Sequence, residues 1–121
     1  MRRLLARLGV LVCVAWATAT WAQGDPALAR QRISIGTGGT GGVYYPLGVG
    51  MAELINRHIP GVTANAEVTG ASIENSRRVG MGEMEFGIAN ADALYFAWAG
   101  QPPFERKFPL LAVASLYPST M

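Results

Sequence analysis

Five glycines fall within residues 36–45, and Tyr44 and Tyr45 close that stretch. A glycine run ahead of a helix acts through its backbone, because N–H groups unobstructed by side chains form a cradle for a carboxylate or another anion. Gly36, Gly38 and Gly41 also match the GxGxxG dinucleotide spacing. That fingerprint requires the helix to begin inside the motif, with an acidic residue about 20 positions on. Pro46 sets the helix start several residues later, and Asn56 stands near the place of the acid. The nucleotide reading therefore fails. A flexible linker is the plain alternative for such a run, and the stiff, contact-forming Tyr44, Tyr45 and Pro46 argue against it. Either tyrosine offers a phenolic hydrogen bond and an apolar wall to a bound anion, or fills the core; both readings stand at this level.

Catalytic constellations are weaker. Residues 70–74 read GASIE, a near miss to the G-x-S-x-G elbow because Glu74 replaces the second glycine. His58, the only histidine, precedes Ser72, whereas a hydrolase of that type places His last. The chain thus reads as no enzyme, and His58 as a solvated residue at a helix C-terminus. Ser72 suits an N-cap and is also placed to offer its hydroxyl to a ligand. Asp92, at the start of a later helix, is a dipole-favoured surface residue or a lining residue of the same site.

These residues need a scaffold, and the pattern supplies an α/β one. Residues 32–36 form a strand through Ile33 and Ile35. Pro46 opens a helix carrying Leu47, Met51, Leu54 and Ile55 at helical spacing, and Pro60-Gly61 stops it. Residues 62–69 form a second strand. Ser72 caps a second helix with Ile73, Val79 and Met81 turned inward and Arg77 and Arg78 wet, closed by Gly80 and Gly82. Residues 86–89 give a short buried strand, 91–99 a third helix, and 110–116 an almost wholly apolar fourth strand of the kind covered on both faces. Strands alternating with helices imply a parallel sheet, whose ligands sit at the carboxyl ends of the strands near a switch in strand order. The loops 36–45, 70–75 and 90–92 lie there.

The chain has 121 residues, half of them hydrophobic and 15% charged, which excludes disorder by composition. Its charge of +2 is a hint of a polyanion partner, and the N-terminus removes it. Arg2, Arg3 and Arg7 precede the uncharged apolar run 8–22, in the order of a cleaved export signal ending at Ala22. The run supplies fifteen residues, where a spanning helix needs about 20. Val12 before Cys13 does not fit a lipidation site. The exported part would hold seven basic and eight acidic residues, a net charge of −1, and no cysteine. No nucleic-acid partner, disulfide, metal or cofactor is implied. The expected organisation is a signal peptide at 1–22, a linker at 23–31 and an α/β unit at 32–121.

The segment IGTGGTGGVYYPLG at 35–48 resembles the opening signature of the TAXI-type solute-binding proteins of tripartite ATP-independent periplasmic (TRAP) transporters. AEVTGASIEN at 66–75 and GEMEFGIANAD at 82–92 agree in order and spacing, and LAVASLYP at 111–118 resembles the family's strand before its domain crossover. The resemblance implies a periplasmic protein with two lobes of type II-like parallel-sheet architecture closing on a hinge. It implies a small carboxylate or amino-acid ligand, glutamate-like or a dicarboxylate, handed to a cation-coupled integral-membrane permease; a periplasmic sensor using the same lobe is the alternative. Carried over by motif, Thr37, Gly38, Gly39, Thr40, Tyr44, Tyr45, Ser72, Asn75, Asn90 and Asp92 would line the cleft. Ala71 stands where the family often has Gly, and Asn90 where it often has Gln. Family members continue well beyond this length, so the expectation is most of a first lobe, with the second lobe missing from these residues.

Overall fold

The computed structural model describes residues 31–118. The export signal expected at 1–22 lies outside the described residues, as does all of the linker but Gln31, which opens the first strand. In chain order the elements are β1 (Gln31–Gly36), α1 (Tyr44–His58), β2 (Val62–Glu67), α2 (Ser72–Gly80), β3 (Phe86–Gly87) and α3 (Ala91–Ala99). The fold class is α/β, as the alternation predicts.

All pairings are parallel and the strand order is β2-β1-β3. The chain passes from β1 to β2 on one side and then returns to the other side of β1. That reversal sets the topological switch point at the carboxyl ends of β1 and β3. Ile35 pairs with Ala66 on one side and Phe86 on the other, and its side chain is fully buried. It packs with Ala52 of α1 and Ala64 of β2, flanked by Ile33, Met51 and Ile55. The buried positions of α1 are Gly48 and Ala52, small residues that let the helix lie close on the sheet. A second cluster joins Ala97 of α3 to Phe104 and Phe108, whose rings meet edge to face at 5.9 Å.

Side chains complete the short sheet. Asn56 of α1 binds both main-chain groups of Ala64, donating to its carbonyl (2.9 Å) and accepting from its N–H (2.7 Å), which covers a strand edge that would otherwise invite pairing. On the β3 side of β1, Glu85 Oε2 accepts the Ser34 N–H (2.7 Å), doing what a longer β3 would have done.

Several expectations are corrected. α1 begins at Tyr44 rather than Pro46, which still falls within the first turn where a missing N–H is harmless. β2 ends at Glu67 rather than Thr69. β3 is two exposed residues, not a buried strand over 86–89, and burial passes to Ile88 just beyond it. α2 turns Asn75 and Ser76 inward, while Ile73 and Met81 face out. Residues 110–116 form no strand: they are irregular, and Leu111 and Val113 are 91% and 79% exposed. β3 matches only Phe86 and Gly87 against β1, too short an edge to template another strand. An apolar run marks a segment that needs a partner and does not supply one.

Candidate site at the strand ends

Each strand delivers its following loop, and the next helix start, to one end of the sheet. After β1, the pairing with β2 runs on by one residue: the Thr37 N–H donates to the Glu67 carbonyl (3.0 Å) and Thr37 Oγ1 donates to the same oxygen (2.6 Å). Thr37 is fully buried. Its side chain closes the sheet end from below and takes no place on the cleft surface, contrary to the expectation for it. Gly38 is also buried, whereas Gly39 and Thr40 are exposed at the loop crest, where a turn closes from the Gly42 N–H to the Gly39 carbonyl (2.9 Å).

Asn75 is reassigned for the same reason. It is fully buried, and its Nδ2 donates to the carbonyls of Thr37 (2.7 Å) and Ile88 (2.8 Å) while Oδ1 accepts from Thr69 Oγ1 (2.7 Å). One amide therefore ties together the chain leaving β1, β2 and β3. Gly36 and Gly87 make this possible: a Cβ on Gly36 would collide with the amide, and one on Gly87 would come within 2.9 Å of Asn75 Cβ. Thr69 escapes motif reasoning, although its hydroxyl also contacts the Thr37 carbonyl (3.1 Å) and accepts the Ala71 N–H (3.1 Å). A short polar residue directly after a strand is the signal that points to it.

Above this buried hub three side chains meet. Tyr44 Oη, at the start of α1, donates to Asn90 Oδ1 and stands 3.4 Å from Ser72 Oγ at the start of α2. Ser72 Oγ in turn accepts the Asn90 N–H (3.0 Å) ahead of α3. Ser72 is not the helix cap: Ala71 holds that position at φ 64, ψ −144, a region that strains any residue with a Cβ. That kink frees the Ser72 hydroxyl to reach sideways. Tyr45 is half-buried, and Asp92 is exposed with Oδ1 accepting the Ala93 N–H (2.7 Å). The structure thus brings Tyr44, Ser72 and Asn90 into direct contact and sends Thr37 and Asn75 beneath.

The charges around the triangle are of both signs. Three helix starts, each carrying a partial positive charge, end on this hydrogen-bonded triangle. α2 has Glu74 and α3 has Asp92 in the first turn, while α1 has no acidic residue there. Glu74 Oε2 accepts the Gly70 N–H (2.7 Å). Around the edge, Arg78 faces Glu67 (2.9 Å), Glu74 (3.8 Å) and Glu83 (3.8 Å). Hydrogen bonding from Ser34 outweighs the opposing effect of burial and, together with the hydrogen bond and charge of Arg78, holds the Glu67 carboxyl below its ordinary range. His58 closes α1 as an exposed residue, as its sequence position predicts.

Two concavities lie away from this triangle. A shallow basin of ≈ 510 Å³ is lined by Arg77, Met81, Glu105, Arg106 and Phe108, and one of ≈ 280 Å³ by Trp98, Lys107, Phe108 and Pro109. Arg77 and Arg106 stack over Phe104 and Phe108 there, at 5.8 and 5.1 Å from the ring centres, and so act as lids on the second hydrophobic cluster. Among the described residues no group of three His, Cys, Asp or Glu side chains is placed to hold a metal.

The model of the NMT1-like family, a periplasmic binding-protein-like family, matches residues 35–121. The three-stranded parallel sheet and its three helices are consistent with one lobe of such a protein.

Proposed function

We propose that this chain, which belongs to the NMT1-like family, captures a small organic anion or amino acid, glutamate-like or a dicarboxylate, and delivers it to a cation-coupled TRAP permease as a TAXI-type solute-binding subunit. A solute-binding role is what the family supports; ligand class and permease are the finer reading. The observation that carries it is the meeting of Tyr44, Ser72 and Asn90 at the switch point of the sheet. Ligands of open α/β sheets gather there, and the helix starts favour an anion. The export signal at 1–22 would address the protein to the periplasm. In this reading a second lobe closes over the site and desolvates the ligand, and the chemistry ends at binding.

Calorimetry with L-glutamate and succinate tests it. A chain that carries both lobes is expected to bind at least one of them, and residues 23–121 alone to bind far more weakly, because one wall leaves the ligand half in water. Sub-micromolar binding by 23–121 would overturn the two-lobe account. Absence of binding by the two-lobed chain to any small carboxylate would overturn solute capture itself.

A further inference from the structure

Capture of a solute leaves open which chemical end of it this wall recognises, and the direction of three hydrogen bonds answers that. The Asn90 N–H donates to Ser72 Oγ, and Tyr44 Oη donates to Asn90 Oδ1. A phenol has one proton, so across the remaining 3.4 Å it is Ser72 that donates to Tyr44 Oη. The ring is then closed. Each of its three oxygens accepts from a neighbour, an arrangement in which hydrogen bonds reinforce one another. Left over are the two protons of Asn90 Nδ2, for which no acceptor stands among the described residues, on a residue that is exposed. The carboxylates of the neighbouring helix starts are turned to backbone donors, Glu74 to Gly70 and Asp92 to Ala93.

We propose that Asn90 determines specificity at this site: its carboxamide, aimed by Tyr44 and Ser72, donates to a carboxylate or carbonyl oxygen of the ligand and disfavours a ligand ammonium. The inference rests on the solute-binding reading above. It makes Tyr44 and Ser72 positioning residues whose hydroxyls serve the wall and do not touch the ligand. Loss of the Tyr44 hydroxyl leaves Asn90 free to turn its amide over, so that donor and acceptor are offered alike.

Calorimetry on the chain that carries both lobes tests this with succinate, its diamide succinamide, and 1,4-diaminobutane. Asn90→Asp replaces the donor by a carboxylate on an exposed side chain, so the fold is expected to persist by circular dichroism. Succinate affinity is expected to fall at least about tenfold, and affinity for the diamine to rise. Tyr44→Phe is expected to lower the ratio of succinate to succinamide affinity by about threefold or more, since a charged acceptor gains most from a fixed donor. A merely structural defect would weaken both ligands together. Succinate binding by N90D equal to that of the parent, or an unchanged ratio in Y44F, would overturn the proposal while the solute-binding reading stands. A parent protein that binds none of the three, nor glutamate, would remove both.

Discussion

Replacing Asn75 by Asp changes one atom and reverses the hydrogen-bonding sense of the buried hub. In the parent, Nδ2 donates to the carbonyls of Thr37 and Ile88 at 2.7 and 2.8 Å. A carboxylate would set an acceptor against both, in a position with no solvent exposure. Truncation to Ala is gentler, because it removes the Oδ1 that takes the Thr69 hydroxyl proton and frees that proton for the Thr37 carbonyl, 3.1 Å away. Only the Ile88 carbonyl is orphaned. One unsatisfied buried acceptor costs about 1–3 kcal/mol, and the small cavity adds to it, so Asn75→Ala should cost about 2–4 kcal/mol. Asn75→Asp should cost more at neutral pH, about 3–5 kcal/mol, as an uncompensated buried charge. Its carboxyl is then held protonated to higher pH in the folded state than in the unfolded one. The deficit relative to the parent therefore shrinks as pH falls. Urea unfolding followed by far-UV circular dichroism at pH 7 and pH 5 measures this. An N75D protein more stable than N75A at pH 7, or a deficit that grows on acidification, would refute the reasoning.

Ala71→Gly should stabilise by about 1 kcal/mol, since it removes strain of about 1–3 kcal/mol at φ 64, ψ −144 and returns part as unfolded-state entropy; a lowered urea midpoint would contradict it. Glu67 has a depressed folded pKa, so its stabilisation is complete above its unfolded value of 4.5 and is lost as pH falls through the lower folded value. Glu67→Gln should accordingly flatten the acid limb of the stability profile below about pH 4.5, and a profile parallel to that of the parent would count against the Ser34 and Arg78 contacts. Residues 23–121 should self-associate through the run at 110–116, where Leu111 and Val113 are 91% and 79% exposed, and Leu111→Lys with Val113→Lys should suppress it. A sharp monomeric gel-filtration peak for the unsubstituted 23–121 chain would sink that expectation.

The sequence by itself determined the α/β class, the order of the helices and first three strands, and the end of the sheet at which the three loops gather. Those properties come from local signals: β-branched pairs such as Ile33 and Ile35, the stop at Pro60-Gly61, and the glycine loop before Tyr44. Apolar content alone misplaced the inward face of α2 and made a strand of 110–116, because it records a preference for burial and not whether a partner surface exists. Only the tertiary structure decided the roles within the site. Asn75 in the first turn of α2 and Asn90 just ahead of α3 are the same residue type at two helix starts, yet one is fully buried and binds the chain leaving three strands while the other stands exposed with no acceptor for its Nδ2 protons among the described residues. What separates them is the position of backbone carbonyls and hydroxyls contributed from as far as 46 residues away in the chain, brought together by the parallel pairing of β1 with both neighbours.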